Sequence, residues 1–100
     1  MIARLWRGWT TPNDADTYEA LLKDKVLPAL RKIEGYRGGY VLRGDGSEVE
    51  FVVMSLFESF DSVIAFAGDD YERPVFEPEA LKLLCRKEQK ATHYQVRSAP

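Results

Sequence analysis

The stretch Glu48–Glu58, Glu-Val-Glu-Phe-Val-Val-Met-Ser-Leu-Phe-Glu, constrains this chain more than any other. It is the longest apolar run and is rich in β-branched and aromatic residues, which reads as a β-strand. Alternation places Val49, Phe51, Val53, Ser55 and Phe57 on one face and Val52, Met54 and Leu56 on the other. A small antiparallel sheet normally keeps one face polar and wet. Here both faces are apolar, so both need a cover. The protein's own helices can supply one. With 100 residues little chain remains for the second, so the expected second cover is another copy of the same sheet.

That length makes one domain, residues 1–100, with a single core. Hydrophobic residues make up 45% and charged residues 30%, a globular balance rather than a disordered one. The net charge of −2 argues against nucleic acid as a partner. A single cysteine, Cys85, precludes an internal disulfide, and with one histidine a protein-built zinc site is not expected. Beside Arg86 and Lys87, Cys85 reads as a buried helix cysteine rather than a reactive one. No apolar run is long enough to cross a membrane, and Met1–Trp9 lacks the pattern of a secretion signal, so the cytoplasm is the default expectation.

Taken in order, Ile2–Trp9 reads as a strand with large side chains on both faces. Thr11, Pro12 and Asp14 form a helix start, and Tyr18, Leu22, Val26 and Leu30 form a core-facing stripe. Pro28 predicts a kink or a fresh turn, and Gly35 ends the helix. Tyr36–Arg43, with a bulge at Gly38-Gly39, joins Glu48–Glu58 through Gly44-Asp45-Gly46-Ser47 as a hairpin. Ser59 caps a helix over Phe60–Ala67, Pro78 opens a short one through Leu84, and Ala91–Arg97 is the last strand. The order βαββαβ predicts an α+β, ferredoxin-like domain with a four-stranded antiparallel sheet and both helices on one face. Its last strand is expected to reach across and close the edge of a two-sheet barrel.

Several segments together resemble the antibiotic biosynthesis monooxygenase family. They are Ala3-Arg4-Leu5-Trp6-Arg7-Gly8, Gly35-Tyr36-Arg37-Gly38-Gly39-Tyr40-Val41-Leu42-Arg43, Phe57-Glu58-Ser59-Phe60, Ala65-Phe66-Ala67-Gly68-Asp69-Asp70 and Ala91-Thr92-His93-Tyr94-Gln95-Val96. The resemblance runs from Met1 to Arg97. It implies a dimeric α/β barrel, two ferredoxin-like halves packed sheet to sheet, with a pocket between each sheet and its own helices. Some members of that family oxidise polyketide-derived aromatic molecules with O₂ and neither metal nor flavin, and others degrade haem. The haem-degrading pattern uses a strand-one asparagine, a tryptophan late in helix two and a histidine about ten residues on. Here those places hold Trp6 or Arg7, Phe66 and Phe76. Phe76 has no donor for iron, which leaves only Tyr71 or His93 from another direction.

The candidate site residues follow. His93 is the one side chain whose ordinary pKa, about 6.5, suits a base near neutrality. The alternative is a strand histidine hydrogen-bonded at the sheet edge or dimer seam. Arg4 and Arg7 could hold a carboxylate or phenolate through paired donors, or else pair with Glu50, Glu58 or a partner's acid. Trp6, Phe66, Tyr71 and Phe76 could line a dry aromatic cavity, although bulky strand residues such as Trp6 and Trp9 more often pack the core or an interface. Asp69 and Asp70, beside Gly68, read as turn residues.

Two functions are compatible with these residues. One is a cofactor-free monooxygenase, without metal or flavin, acting on a small aromatic or quinol-like molecule. There His93 removes a proton, Arg7 or Arg4 holds the anion, and O₂ takes the electrons. The other is a non-catalytic dimeric barrel that holds a small ligand or serves only as structure. The direction in which His93 points distinguishes them.

Overall fold

The two faces of Glu48–Glu58 meet different fates. The computed structural model describes Met1–Pro100 and runs β1 (Ile2–Thr10), α1 (Pro12–Leu21), a π-helical turn (Leu22–Val26), α2 (Leu27–Arg31), β2 (Tyr36–Gly44), β3 (Val49–Phe57), α3 (Phe60–Ala67), α4 (Ala80–Leu83), β4 (Leu84–Lys87) and β5 (Thr92–Gln95). All strand pairs are antiparallel, in the order β2-β3-β1, with β4 and β5 sharing the far edge of β1. This is the ferredoxin-like α+β arrangement, with its fourth place filled by two short strands.

That split corrects two expectations, the helical end at Leu84 and the buried helical Cys85. Leu84–Lys87 is not a helix end: it is extended and pairs with Gly8–Thr10, while β5 pairs with Ile2–Leu5. Cys85 is therefore an exposed strand residue. The segment carries little intrinsic strand signal, and the free hydrogen-bonding edge of β1 decides its conformation instead. Within the chain β5 pairs with β1 of its own sheet, and that sheet is not closed on itself.

Pro28 acts just upstream of itself. The Leu27 amide reaches back five residues to the Leu22 carbonyl, a π-helical turn that absorbs the missing donor and lets the helix continue. At the other end, Gly35 has φ +89° and a Cβ there would meet Ser62 Oγ at 2.0 Å, so only glycine fits. The bulge in β2 falls between Tyr36 and Gly39. Ser59 caps α3 by accepting from the Ser62 amide at 3.4 Å. Thr11 occupies the first N-cap position, but its hydroxyl faces Asp14 Oδ2 at 3.5 Å rather than capping the backbone.

Helices cover the face formed by Val49, Phe51, Val53, Ser55 and Phe57. Ala15, Tyr18 and Leu22 close over Val49 and Phe51, while Leu30 and Val63 close over Ile2 and Phe57. The opposite face bears Leu5, Val52, Met54 and Leu56, flanked by Tyr40, Leu42 and Tyr94 at 60%, 50% and 54% exposure. No element of the chain lies over it. Phe51 is fully buried with Tyr18 edge-on at 5.0 Å, so Phe51→Ala should cost about 3–5 kcal/mol of stability, read from urea denaturation.

Candidate functional site

A pocket of about 580 Å³, open mouth included, lies between the sheet and the α1–α2 helix. Arg4 and Trp6 of β1 and Val53 and Ser55 of β3 form its floor, because even positions of β1 and odd positions of β3 share the helix-covered face. Tyr18, Leu22 and Leu30 form the roof, Phe66 of α3 closes one end, and Pro74–Glu77 forms the lip. The lining is mainly apolar, with a few polar groups, the usual make-up of a small-molecule site.

Arg4 is the unusual member. It is 6% exposed and has no carboxylate within ion-pair distance. Its Nη1 donates to the Tyr71 carbonyl and to His93 Nε2 at 3.0 Å, and its Nη2 donates to the Arg73 carbonyl at 3.2 Å. The guanidinium also sits 5.6 Å from the centre of the Phe66 ring. Burial lowers its pKa to about 10, which still leaves a full cation at neutral pH. A buried cation held only by neutral acceptors is electrostatically incomplete.

His93 lies opposite Arg4 in the β1–β5 ladder, on the helix-covered side rather than the bare face. It does not line the pocket. Its ring packs behind Arg4 against Tyr71 at 5.1 Å and Phe60 at 6.0 Å. Because Arg4 can only donate, Nε2 is the acceptor and the neutral ring carries its proton on Nδ1. Burial, and then the Arg4 charge, lower the His93 pKa; Glu72 pulls more weakly the other way.

The remaining candidates separate. Trp6 and Phe76 meet edge-on at 5.3 Å in the wall, and Trp6 Nε1 donates to the Glu88 carbonyl at 2.8 Å. Phe66 stacks on Phe57 at 6.0 Å. Tyr71 serves through its backbone carbonyl while its ring packs on Phe60 and His93. Arg7 is on the opposite face, half-exposed, 3.5 Å from Glu50 and 3.8 Å from Glu88. It is an ion-pair residue away from the pocket, as odd numbering in β1 requires. Trp9 lies on that face too, under Arg86 at 3.9 Å.

Three polar lining residues were not among the candidate site residues read from the sequence: Tyr18, Ser55 and Glu77. Ser55 had a signal, since it is the one polar side chain on the buried face of β3. Tyr18 had a weaker one, a phenol in an otherwise aliphatic helix stripe. Cys85 lies apart, its thiol pKa raised by its surroundings and by Glu48, so no thiolate is favoured there.

No group of three or more His, Cys, Asp or Glu side chains converges anywhere in the chain. Haem does not fit the pocket's donors: Phe66 and Phe76 cannot ligate, Tyr71 packs on Phe60 and His93 outside the lining, burial keeps the Tyr18 phenol protonated, and the His93 lone pair points to Arg4.

No family model and no curated protein matches the sequence. Solved structures do match its shape. A Bacillus cereus protein provisionally described as an antibiotic biosynthesis monooxygenase superposes with TM-score 0.69 at 16% identity, covering 100% of this chain and 94% of that one. A monooxygenase of Streptomyces coelicolor in complex with nanaomycin D gives 0.66 at 17%, covering 99% and 89%. A Mycobacterium tuberculosis protein gives 0.62 at 20%, covering 98% and 96%. The chain shares the fold of these three structures along its whole length.

The Arg4–His93 contact has a pH signature. His93 has a folded pKa below its unfolded value near 6.5, so the unfolded chain takes up the proton first as pH falls. The stability it contributes is present above that value and is lost as pH falls through the folded pKa. Urea midpoints measured at pH 7 and 5.5 should fall less in His93→Gln, whose amide oxygen still accepts from Arg4, than in the parent chain.

Proposed function

We propose that the pocket holds a small, flat aromatic molecule as its oxygen anion, and that the protein is a monooxygenase oxidising it with O₂. The observation that carries this reading is Arg4: a buried guanidinium without a carboxylate in ion-pair distance, on the wall of a mainly apolar cavity. A phenolate or enolate supplies the missing charge, and the cation favours the ionised, electron-rich form of the substrate. Trp6, Phe66 and Phe76 offer ring faces and edges to a planar ligand and keep water out.

The chemistry needs no outside reductant. An activated ring CH₂ becomes C=O while one oxygen atom of O₂ enters the carbon and the other leaves as water: R₂CH₂ + O₂ gives R₂CO + H₂O. The carbon loses four electrons and O₂ gains four. The enolate at Arg4 is the electron donor. His93 acts through Arg4, its lone pair fixing the guanidinium fork rather than taking the substrate proton. It is a positioning residue in this scheme. The monooxygenases that share the fold support the reading.

A second reading is favoured by the same His93 geometry. With its lone pair engaged and no other histidine in the chain, the pocket wall carries no imidazole base. Such a pocket could bind without turning over. Oxygen uptake by chelator-treated protein with anthrone separates the two: one O₂ consumed per anthrone supports the oxygenase, while Trp6 quenching without uptake supports the binding module. Arg4→Met should lower kcat/KM about ten- to hundredfold, the cost of one charge-assisted contact. A rate indifferent to Arg4→Met would remove the anion site. A rate at saturating anthrone lost in His93→Gln, together with the acid limb of its pH profile, would return the base role to His93.

We further propose that the bare sheet face is covered by a second copy of the chain. Leu5, Val52, Met54 and Leu56 form a contiguous apolar surface, and burying each large side chain is worth roughly 1.5–3 kcal/mol before association costs. Sedimentation should show a dimer at micromolar concentration, and Met54→Asp should yield a monomer or an insoluble chain. Val53→Asp, on the covered face, should fail to fold. A parent chain that is monomeric and soluble would overturn this proposal.

A further inference from the structure

Apart from Glu77 at the lip, the polar side chains that line the pocket fall into two groups rather than one cluster. Arg4 and Ser55 face each other across the β1–β3 ladder at one end. Tyr18 comes down from α1 over Phe51, with ring centroids 5.0 Å apart. Phe51 and Ser55 share a face of β3 and stand four residues apart, about 13 Å of strand. Between them the wall is Trp6, Val53 and Leu22, and the one polar atom there, Trp6 Nε1, is already spent on the Glu88 carbonyl.

Tyr18 is 2% exposed and Ser55 4%, yet neither hydroxyl has a hydrogen-bond partner in the protein. Buried hydroxyls are nearly always hydrogen-bonded. Thr10 Oγ1 is the sole fully enclosed side-chain polar atom lacking a partner, so the Tyr18 and Ser55 oxygens open into the cavity they line. Burial pushes the Tyr18 pKa up, so its phenol stays protonated and is a hydrogen-bond donor at any physiological pH. Two hydroxyls that bond nothing in the protein and open at separate points of a mainly apolar slot fit oxygen partners at separate points of one ligand.

We infer that Tyr18 is a specificity-determining residue, donating to a second, neutral oxygen at the far end of a rigid aromatic ligand whose anionic oxygen lies against Arg4 and Ser55. The ligand class is a flat ring system with oxygens at its two ends and apolar flanks. The inference rests on the reading of the pocket as an anion site, and goes beyond it by fixing what the other end must carry.

A matched pair of probes tests it: 2-naphthoate, with an anionic group alone, and 6-hydroxy-2-naphthoate, with an oxygen added at the opposite end. Titration of tryptophan fluorescence at pH 7 should show the parent chain binding the hydroxylated probe about five- to tenfold more tightly, the value of one neutral hydrogen bond. Tyr18→Phe keeps the ring over Phe51 and should bind both probes equally, at the 2-naphthoate affinity of the parent chain. Its Tm should be unchanged, because the hydroxyl bonds nothing in the protein. Arg4→Met should weaken both probes tenfold or more.

A preference that survives Tyr18→Phe, with Arg4→Met weakening both probes, overturns the role of Tyr18 and leaves the anion site intact. Affinities indifferent to Arg4→Met overturn the anion site itself. A Tyr18→Phe variant with a lowered Tm and both affinities reduced alike would make the hydroxyl structural, and the inference would fall.

Discussion

The guanidinium of Arg4 ties together three parts of the chain that the sequence holds far apart. It reaches from β1 to the carbonyls of Tyr71 and Arg73 in the connector after α3, and to the ring of His93 in β5. The connector is fixed independently by the Ala91 amide, which donates to the Glu72 carbonyl at 2.7 Å. That connector leads directly into Pro74–Glu77, the lip of the pocket. One buried cation therefore sets the position of the pocket mouth, the placement of the only histidine and the electrostatic sign of the cavity. A neutral side chain of similar size would fill the volume but satisfy none of the carbonyls.

The sheet divides the work of the chain between its faces. Alternation in β1 sends Ile2, Arg4 and Trp6 toward the helices and Leu5, Arg7 and Trp9 away from them, and β3 follows in register. Two arginines three residues apart thus have unrelated surroundings. Arg4 is buried without an acid, whereas Arg7 is half-exposed between Glu50 and Glu88, where screening leaves little net energy. A one-residue slip of the β1–β3 register would exchange them. The full nine-pair ladder from Ile2–Phe57 to Thr10–Val49 holds that register, anchored by buried Phe51 and Phe57.

Much of this was legible in the chain itself. The two-faced strand, the βαββαβ order, the hairpin at Gly44–Ser47, the bulge near Gly38 and the Ser59 cap all rest on local patterns that tertiary contacts then agree with. Arg4 and Trp6 line the pocket because strand parity puts them on the helix-covered face, while Phe66 and Phe76 were reached through the family resemblance rather than through local pattern. What the sequence left open depends on long-range structure, which has no local signature. Leu84–Lys87 becomes a strand only because β1 offers it an edge. His93 was read from its pKa alone, and a pKa says nothing about which lone pair is already engaged. The phenol of Tyr18 looked like core because an apolar helix stripe and a pocket roof are the same pattern until a void is found beneath it.

The void itself follows from those residues. α1 and α2 could have closed fully over β3, as they do over Val49, Phe51 and Phe57. Between these two core clusters the sheet presents Val53 and Ser55, with Arg4 and Trp6 beside them on β1. Ser55 is small and leaves volume where another aromatic would have filled it. Arg4 cannot be covered by leucine without desolvating a charge at a cost of several kcal/mol. Apolar helix and charged floor are mismatched there, and close packing breaks off where the mismatch lies. The helix also changes register at that level, since the π-helical turn begins at Leu22 and its last residue, Val26, lines the cavity too. Such a turn widens the helix locally and is frequent at functional sites. A buried cation, a small polar residue and a re-registered helix thus coincide along one stretch of sheet, and together they keep open a slot that the rest of the core would otherwise have filled.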